Sequence, residues 1–140
     1  MESKITEKQI CYCNSGLYYE ICCKPFIDYK ELPKTAEQLM RSRYTAFCIK
    51  DADYIKNTMH GRALELHDEE SILNRPIQWK KLEILSKKKG KQEDEEGVVT
   101  FRAIFQKFPD KDQLTYIEEQ SLFKKIDNKW FYTDLIPIDE

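Results

Sequence analysis

Long apolar runs are missing from this 140-residue chain: the longest unbroken stretch of aliphatic, aromatic or sulfur side chains is four residues, against the roughly 18 needed to cross a bilayer as a helix. No membrane span is expected. The first residues, Met1-Glu2-Ser3-Lys4-Ile5-Thr6-Glu7-Lys8, contain no apolar leader core and mix acids with bases, which fits neither a secretory signal nor an Arg-rich transit peptide. The expected compartment is therefore the reducing cytoplasm. An excess of one charge is also missing, since 23 Lys and Arg face 25 Asp and Glu for a formal charge of −2. Without a global positive field, sequence-independent nucleic-acid binding has no driving force. The basic run Lys87-Lys88-Lys89-Gly90-Lys91 is followed at once by Glu93-Asp94-Glu95-Glu96, and such blocks cancel beyond a Debye length of roughly 8 Å. They read as a solvated hairpin loop. Finally, no internal repeat and no Gly-rich phosphate loop occur, the two histidines lack the spacing of a metal triad, and Ser15 has no plausible base. No catalytic constellation emerges, and a non-enzymatic protein is the expected reading.

What is present suffices for one core. Leu, Ile, Val and Phe make up about a quarter of the chain, above the roughly 20% below which charged chains stay disordered, and eight Tyr and two Trp add to it. The length fits one ordinary domain with a small appendage. The expected division is residues 1–27 as the appendage, 28–34 as a linker and 35–140 as the main domain. Within the last, Thr35 stands where an N-cap belongs, and Ala36, Leu39, Met40, Arg43 and Phe47 recur at helical spacing, predicting a helix from Ala36 to about Ile49. Asp51 caps a second helix running to about Met59, with His60-Gly61 as its stop. A helical turn around Glu69–Leu73 must end before Pro76. Beyond it the pattern changes to period two: Trp79 to Ser86, Val99 to Gln106, Leu114 to Lys125 and Lys129 to Leu135 read as strands, the last two joined by Asp127-Asn128 in a tight turn. Helices followed by strands imply an α+β fold with an antiparallel sheet. The aromatic residues Phe101, Phe105, Phe123, Trp130 and Tyr132 are assigned to its core rather than to a base-stacking platform.

Cysteines are concentrated. Cys11, Cys13, Cys22 and Cys23 lie within thirteen residues, and Cys48 stands alone. In a reducing compartment clustered thiols bind metal or act in redox chemistry more often than they form disulfides. Four around one turn are also hard to explain as buried small hydrophobes, so metal is favoured over packing and redox. Four thiolates close a tetrahedral zinc shell with no open position, the arrangement of a structural site. Asn14-Ser15-Gly16 supplies the bend that returns the chain, and Tyr18 and Tyr19 are expected to shield the sulfurs. Cys48 is assigned to the core edge.

The pattern Cys11-x-Cys13-Asn14-Ser15-Gly16…Tyr19…Cys22-Cys23 resembles the SEC-C motif, a short zinc-binding element also found at the C-terminus of the SecA translocation ATPase. Tyr12 and Asn14 replace its usual proline and glycine. Ala36-Glu37-Gln38-Leu39-Met40-Arg41-Ser42-Arg43-Tyr44-Thr45-Ala46-Phe47, Asp53-Tyr54-Ile55, Thr58-Met59-His60, Glu119-x-Ser121-x-Phe123 and Lys129-Trp130-Phe131-Tyr132 are similar to the YchJ-like family of uncharacterised bacterial proteins. The resemblance implies a zinc knuckle joined to a nuclear-transport-factor-2-like (cystatin-like) domain, with helices closing a curved antiparallel sheet around a conical pocket. Many members carry a second knuckle, whereas no cysteine follows Cys48 here.

The residues support two functional expectations. In the first, the knuckle presents Tyr12, Leu17, Tyr18, Lys8 and Lys24 to a protein partner, making the chain a zinc-stapled adapter. In the second, a small-ligand binder or enzyme, Arg43, Tyr44, His60 and Glu119 line a pocket for a small anionic or polar ligand, with Arg43 binding it and His60 or Glu119 moving protons. Arg43 falls mid-stripe on the apolar face of its helix, so its charge must find a partner. Glu119 is the leading candidate, and His60 is alternatively a helix cap.

Overall fold

The structure is a computed structural model that describes residues 9–109 and 113–138. A 3-10 turn, Tyr19–Ile21, precedes a four-residue helix α1, Lys24–Ile27, with Pro25 in its first turn. Proline is favoured there because its missing N–H has no helical partner to lose. Helix α2, Ala36–Ile49, begins where the chain turns out of an extended Thr35, whose hydroxyl accepts from Gln38 N at 3.1 Å. Gln38 reaches back in turn and accepts from Lys34 N at 2.7 Å, so both ends of the entry are tied. Lys50, in the left-handed region at φ 61°, ends α2. Asp51 then caps α3, Ala52–Asn57, accepting from Tyr54 N at 3.0 Å.

Helix α3 stops earlier than its pattern predicts. The Thr58 hydroxyl donates back to Tyr54 O at 2.8 Å, and Met59 leaves to form a parallel bridge with Tyr132. Gly61 starts the next helix rather than ending α3, at φ 64° before α4, Arg62–Glu65. Helix α5, Glu69–Leu73, follows a cap by Asp68 and ends ahead of Pro76.

Four antiparallel strands in the order β1-β2-β3-β4 make the sheet: β1 Ile77–Lys89, β2 Glu96–Lys107, β3 Leu114–Ile126 and β4 Lys129–Ile136. Lys87, Lys88 and Lys89 belong to β1, paired with Val99, Val98 and Gly97. The expected loop is thereby corrected: exposed lysines do not prevent pairing when the opposite strand satisfies their backbone. The turn proper starts at Gly90, φ 81°. A Cβ on Gly97 would lie 2.4 Å from Gly90 Cα, so the strands approach this closely only because residue 97 is glycine, while a Cβ on Gly90 would lie 2.8 Å from Ala36 Cβ. Ala36 N donates to Gly90 O at 2.9 Å, which seats the start of α2 on this crossing. Strict alternation along β1 fails as well. Register shifts at Trp79/Lys81 and Ile84/Ser86 let Trp79 and Leu82 both pack on the core, as an extra residue in a bulge permits. At the other end, Asp127 (φ 52°) and Asn128 (φ 66°) form the tight turn between β3 and β4.

The core lies between the helices and one face of the sheet, joining Leu39, Met40 and Tyr44 of α2 and Tyr54 and Ile55 of α3 to Val99, Phe101, Ala103, Phe123 and Trp130. Phe105 is buried too, edge-on to Trp79. Cys11, Cys13 and Cys23 belong to the same core, so the N-terminal segment is packed into the domain. One polar pair is sealed inside. Ser42 Oγ donates to Leu39 O at 2.9 Å, which leaves the Tyr54 hydroxyl to donate to Ser42 at 2.7 Å. Burial pushes the Tyr54 phenol up to about 12. A raised folded value means that its contribution is complete below the unfolded value near 10 and is lost as pH rises through about 12. Tyr54→Phe is therefore expected to cost about 1 kcal/mol at pH 7. Between pH 10 and 12 wild type should lose up to about 2–3 kcal/mol more than the variant, as measured by urea denaturation at stepped pH.

Candidate metal centre and cavity

The knuckle is built by a short backbone ladder. Cys11 N donates to Leu17 O at 2.8 Å, Tyr19 N donates to Gln9 O at 2.7 Å, and Ile10 and Tyr18 bridge antiparallel. The chain reverses between them through Asn14 at φ 64° and Gly16 at φ 92°, conformations that Asn and Gly adopt at least cost. The 3-10 turn then brings Cys22 and Cys23 back beside Cys11 and Cys13. All four sulfurs lie within 4.8 Å of one another. Cys13 and Cys22 are 3.6 Å apart and Cys22 and Cys23 3.9 Å, and all are free thiols. A tetrahedron with metal–sulfur bonds of about 2.3 Å has sulfur–sulfur edges of about 3.8 Å, so the donor set fits a thiophilic tetrahedral ion in both chemistry and spacing.

Packed this closely, the thiols perturb one another. Hydrogen bonds from Cys11 and then Cys23 hold the Cys13 thiol far below the usual range, whereas the same contacts and burial push Cys23 far above it. Burial pushes Cys22 up to about 12 against the opposing Ser15 hydroxyl, 3.1 Å from its sulfur.

Three contacts dock the knuckle on the domain. Arg41 Nη1 donates to Cys13 O at 2.6 Å, Leu82 N donates to Asn14 Oδ1 at 2.7 Å, and Cys11 Sγ lies 3.8 Å from Thr45 Oγ1. Asn14 thus does more than turn the chain, because its side chain satisfies the Leu82 N–H on the edge strand β1. Sequence reasoning missed Arg41, whose available signal was Glu37 four residues earlier, its ion-pair partner at 2.9 Å. Tyr19 packs edge-on against Tyr12 at 5.9 Å, while Tyr18 lies at the surface. Lys24 pairs with Asp28, and Lys8 falls outside the described residues. Cys48 is half-buried and outside the cluster, its thiol pushed up to about 12 by burial.

A cavity of about 210 Å³ opens between α2 and the sheet, and Arg43, Tyr44 and Glu119 line it. The expected Arg43–Glu119 contact is corrected. Arg43 Nη1 donates to Ile55 O at 2.7 Å and to Thr58 Oγ1 at 2.6 Å. Tyr132 stands between the two charges: the guanidinium lies 4.9 Å from its ring centre, and its hydroxyl donates to Glu119 Oε2 at 3.3 Å. Ser121 donates to the same oxygen at 2.9 Å. Burial lowers Arg43 to about 10, opposed by the neighbouring Tyr132, Tyr54 and Glu119, and it stays charged at neutral pH. Tyr44 and Tyr132 are both pushed upward, chiefly by burial. His60 does not line the cavity, a second correction. Next to the Met59–Tyr132 bridge successive side chains alternate, so Met59 turns in and His60 turns out, exposed, its ring 5.4 Å from Phe131. Arg75 and Trp79 also line it; sequence reading left Arg75 unassigned.

Among the described residues no helix is long and apolar enough to cross a membrane. Known proteins share this architecture. Residues 35–135 match the family described as "YchJ, middle NTF2-like domain". UPF0225 protein SG1365 of Sodalis glossinidius is 40% identical over 127 residues, 89% of this chain and 80% of that one. UPF0225 protein plu2503 of Photorhabdus laumondii is 37% identical over 138 residues, 94% and 83% of the two chains. Among solved structures, a SEC-C motif containing protein from Rhodopseudomonas palustris superposes with a TM-score of 0.80 at 28% identity, covering 92% of this chain and 98% of that one. A SEC-C motif containing protein from Psychrobacter arcticus does so with 0.73 at 29%, covering 93% and 83%. A cysteine knuckle set on a four-stranded sheet and its helices, together with these likenesses, places the chain in the uncharacterised YchJ-like UPF0225 family, with a SEC-C motif before its NTF2-like domain.

Proposed function

We propose that this protein is a non-enzymatic zinc-binding adapter, in which Cys11, Cys13, Cys22 and Cys23 hold one zinc ion and the stiffened knuckle serves as a contact surface for a protein partner in the cytoplasm. The observation carrying the metal reading is the convergence of four free thiols within 4.8 Å. Zinc is preferred because an all-thiolate tetrahedral set suits it and leaves no position for water or substrate. The ion stabilises a loop that has few apolar contacts of its own, so binding and local folding are one process. The contact reading rests on the outer side of the same loop, where Ile10, Leu17, Tyr18 and Ile21 are exposed and Ile21 reaches 68% exposure. Such side chains on a rigid turn supply the apolar anchors that protein interfaces use.

The two parts are separable by experiment. Native mass spectrometry of the full chain prepared without chelator should give one zinc per chain, retained in Ile21→Asp and lost in Cys22→Ser. Zinc should leave as pH falls and the thiolates take up protons, with a bare polypeptide mass in wild type at pH 7 removing the metal role. A photocrosslinker at position 17 in cells should capture a discrete protein, and both Ile21→Asp and Cys22→Ser should abolish that adduct. A pattern unchanged by Ile21→Asp removes the contact role even where the metal is present.

A further inference from the structure

The cavity under α2 carries a charge that no carboxylate among the described residues neutralises directly. Arg43 is 4% exposed, and no carboxylate lies within ion-pair distance of it among the described residues. Both of its hydrogen bonds leave from Nη1, to the end of α3. Nε and Nη2 have no protein acceptor among the described residues. Arg43 is one of the residues that line the cavity, so its hydrogen-bonding capacity toward a cavity ligand rests on these two nitrogens. The α3 contacts and the Tyr132 ring at 4.9 Å hold the plane in place. A fixed guanidinium with two free donors matches one planar oxyanion, and a carboxylate fits it bidentately.

The rest of the cavity restricts the body that such a carboxylate can carry. Phe47, Trp79 and Phe101 give it aromatic walls, which favour an apolar body. Its volume of about 210 Å³ is below the roughly 300 Å³ at which drug-sized sites begin, so the body is compact. Arg75 at the exposed mouth adds a second positive charge, while Glu119 supplies a negative one. The sum favours a single negative charge. A ligand with a second anionic group would bring it against Glu119, whose carboxylate is fixed by Ser121 and Tyr132.

We infer that this cavity binds a small organic monocarboxylate with a compact apolar body, its carboxylate held by the free Nε/Nη2 edge of Arg43. The site is independent of the knuckle's partner surface.

The test uses the zinc-loaded full chain and the NMR signal of the Arg43 Nε–H group, assigned through its contact with the Tyr132 ring. Phenylacetate and isovalerate, each set against its neutral amide, are titrated alongside succinate and inorganic phosphate. The monocarboxylates should shift the Arg43 signal saturably. The amides should bind at least about tenfold more weakly, the loss expected when a charge-assisted pair is removed, and succinate and phosphate should leave the signal unmoved. Ala103→Leu, which fills the sheet wall and leaves Arg43 intact, should abolish the shift while the sheet amide spectrum stays wild-type. An Arg43 signal unmoved by both monocarboxylates overturns the inference, as does equal binding of acid and amide, or tighter binding of phosphate or succinate. Should Ala103→Leu fail to fold, the acid-against-amide comparison in wild type decides alone.

Discussion

The convergence of four sulfur atoms is the constraint on which the N-terminal segment of this structure depends. Residues 9–27 contain one 3-10 turn, one four-residue helix and a ladder of a few hydrogen bonds, too little to fix a chain that must reverse twice. Sulfur supplies what the backbone lacks. Once Cys11, Cys13, Cys22 and Cys23 share a point, Asn14 faces β1 and the Cys13 carbonyl faces Arg41. The knuckle then packs into the core and caps one N–H on the edge of β1, two tasks that a freely tethered appendage would not perform. The proposed ion thus acts on the domain through ordinary packing and hydrogen bonds.

A second constraint lies at the opposite face of α2. Arg41 and Arg43, two positions apart, look to different sides: Arg41 to the knuckle, Arg43 into the cavity. One helix therefore carries both candidate sites. Its N-terminus is held by the Thr35 cap and by the Gly90–Gly97 crossing, and its far end by the Lys50–Asp51 junction. The buried Arg43 is tolerated because carbonyl, hydroxyl and aromatic groups surround part of it, while its remaining edge meets the cavity. Unlike a buried ion pair, this arrangement leaves binding capacity unused.

Much of the fold was legible because its signals are local. The bounds of α2, Ala36 and Ile49, follow from a cap and a helical stripe, and the β3–β4 turn follows from Asp127-Asn128. The cysteine spacing drew attention to the knuckle for the same reason: all four residues lie within one short segment. What escaped the reading depends on contacts distant in sequence. Period two cannot reveal the bulges that bring Trp79 and Leu82 to one side, since register shifts are decided by the opposite strand. Lys87 to Lys89 look like loop until paired with Gly97 to Val99. His60 was misplaced because its orientation is set by a bridge to Tyr132, far along the chain. Arg43 was rightly placed on a buried face, but its partners are a main-chain carbonyl, a hydroxyl and a ring, groups that charge pairing does not single out.

The proposed role of the knuckle depends most directly on the atoms that surround its ion. X-ray absorption at the zinc edge of the full chain, purified without chelator, measures both the kind and the distance of the nearest atoms. Four sulfurs at about 2.3 Å and no nitrogen or oxygen in the shell are expected. A shell containing oxygen or nitrogen, or no zinc edge from the purified protein, would contradict that role.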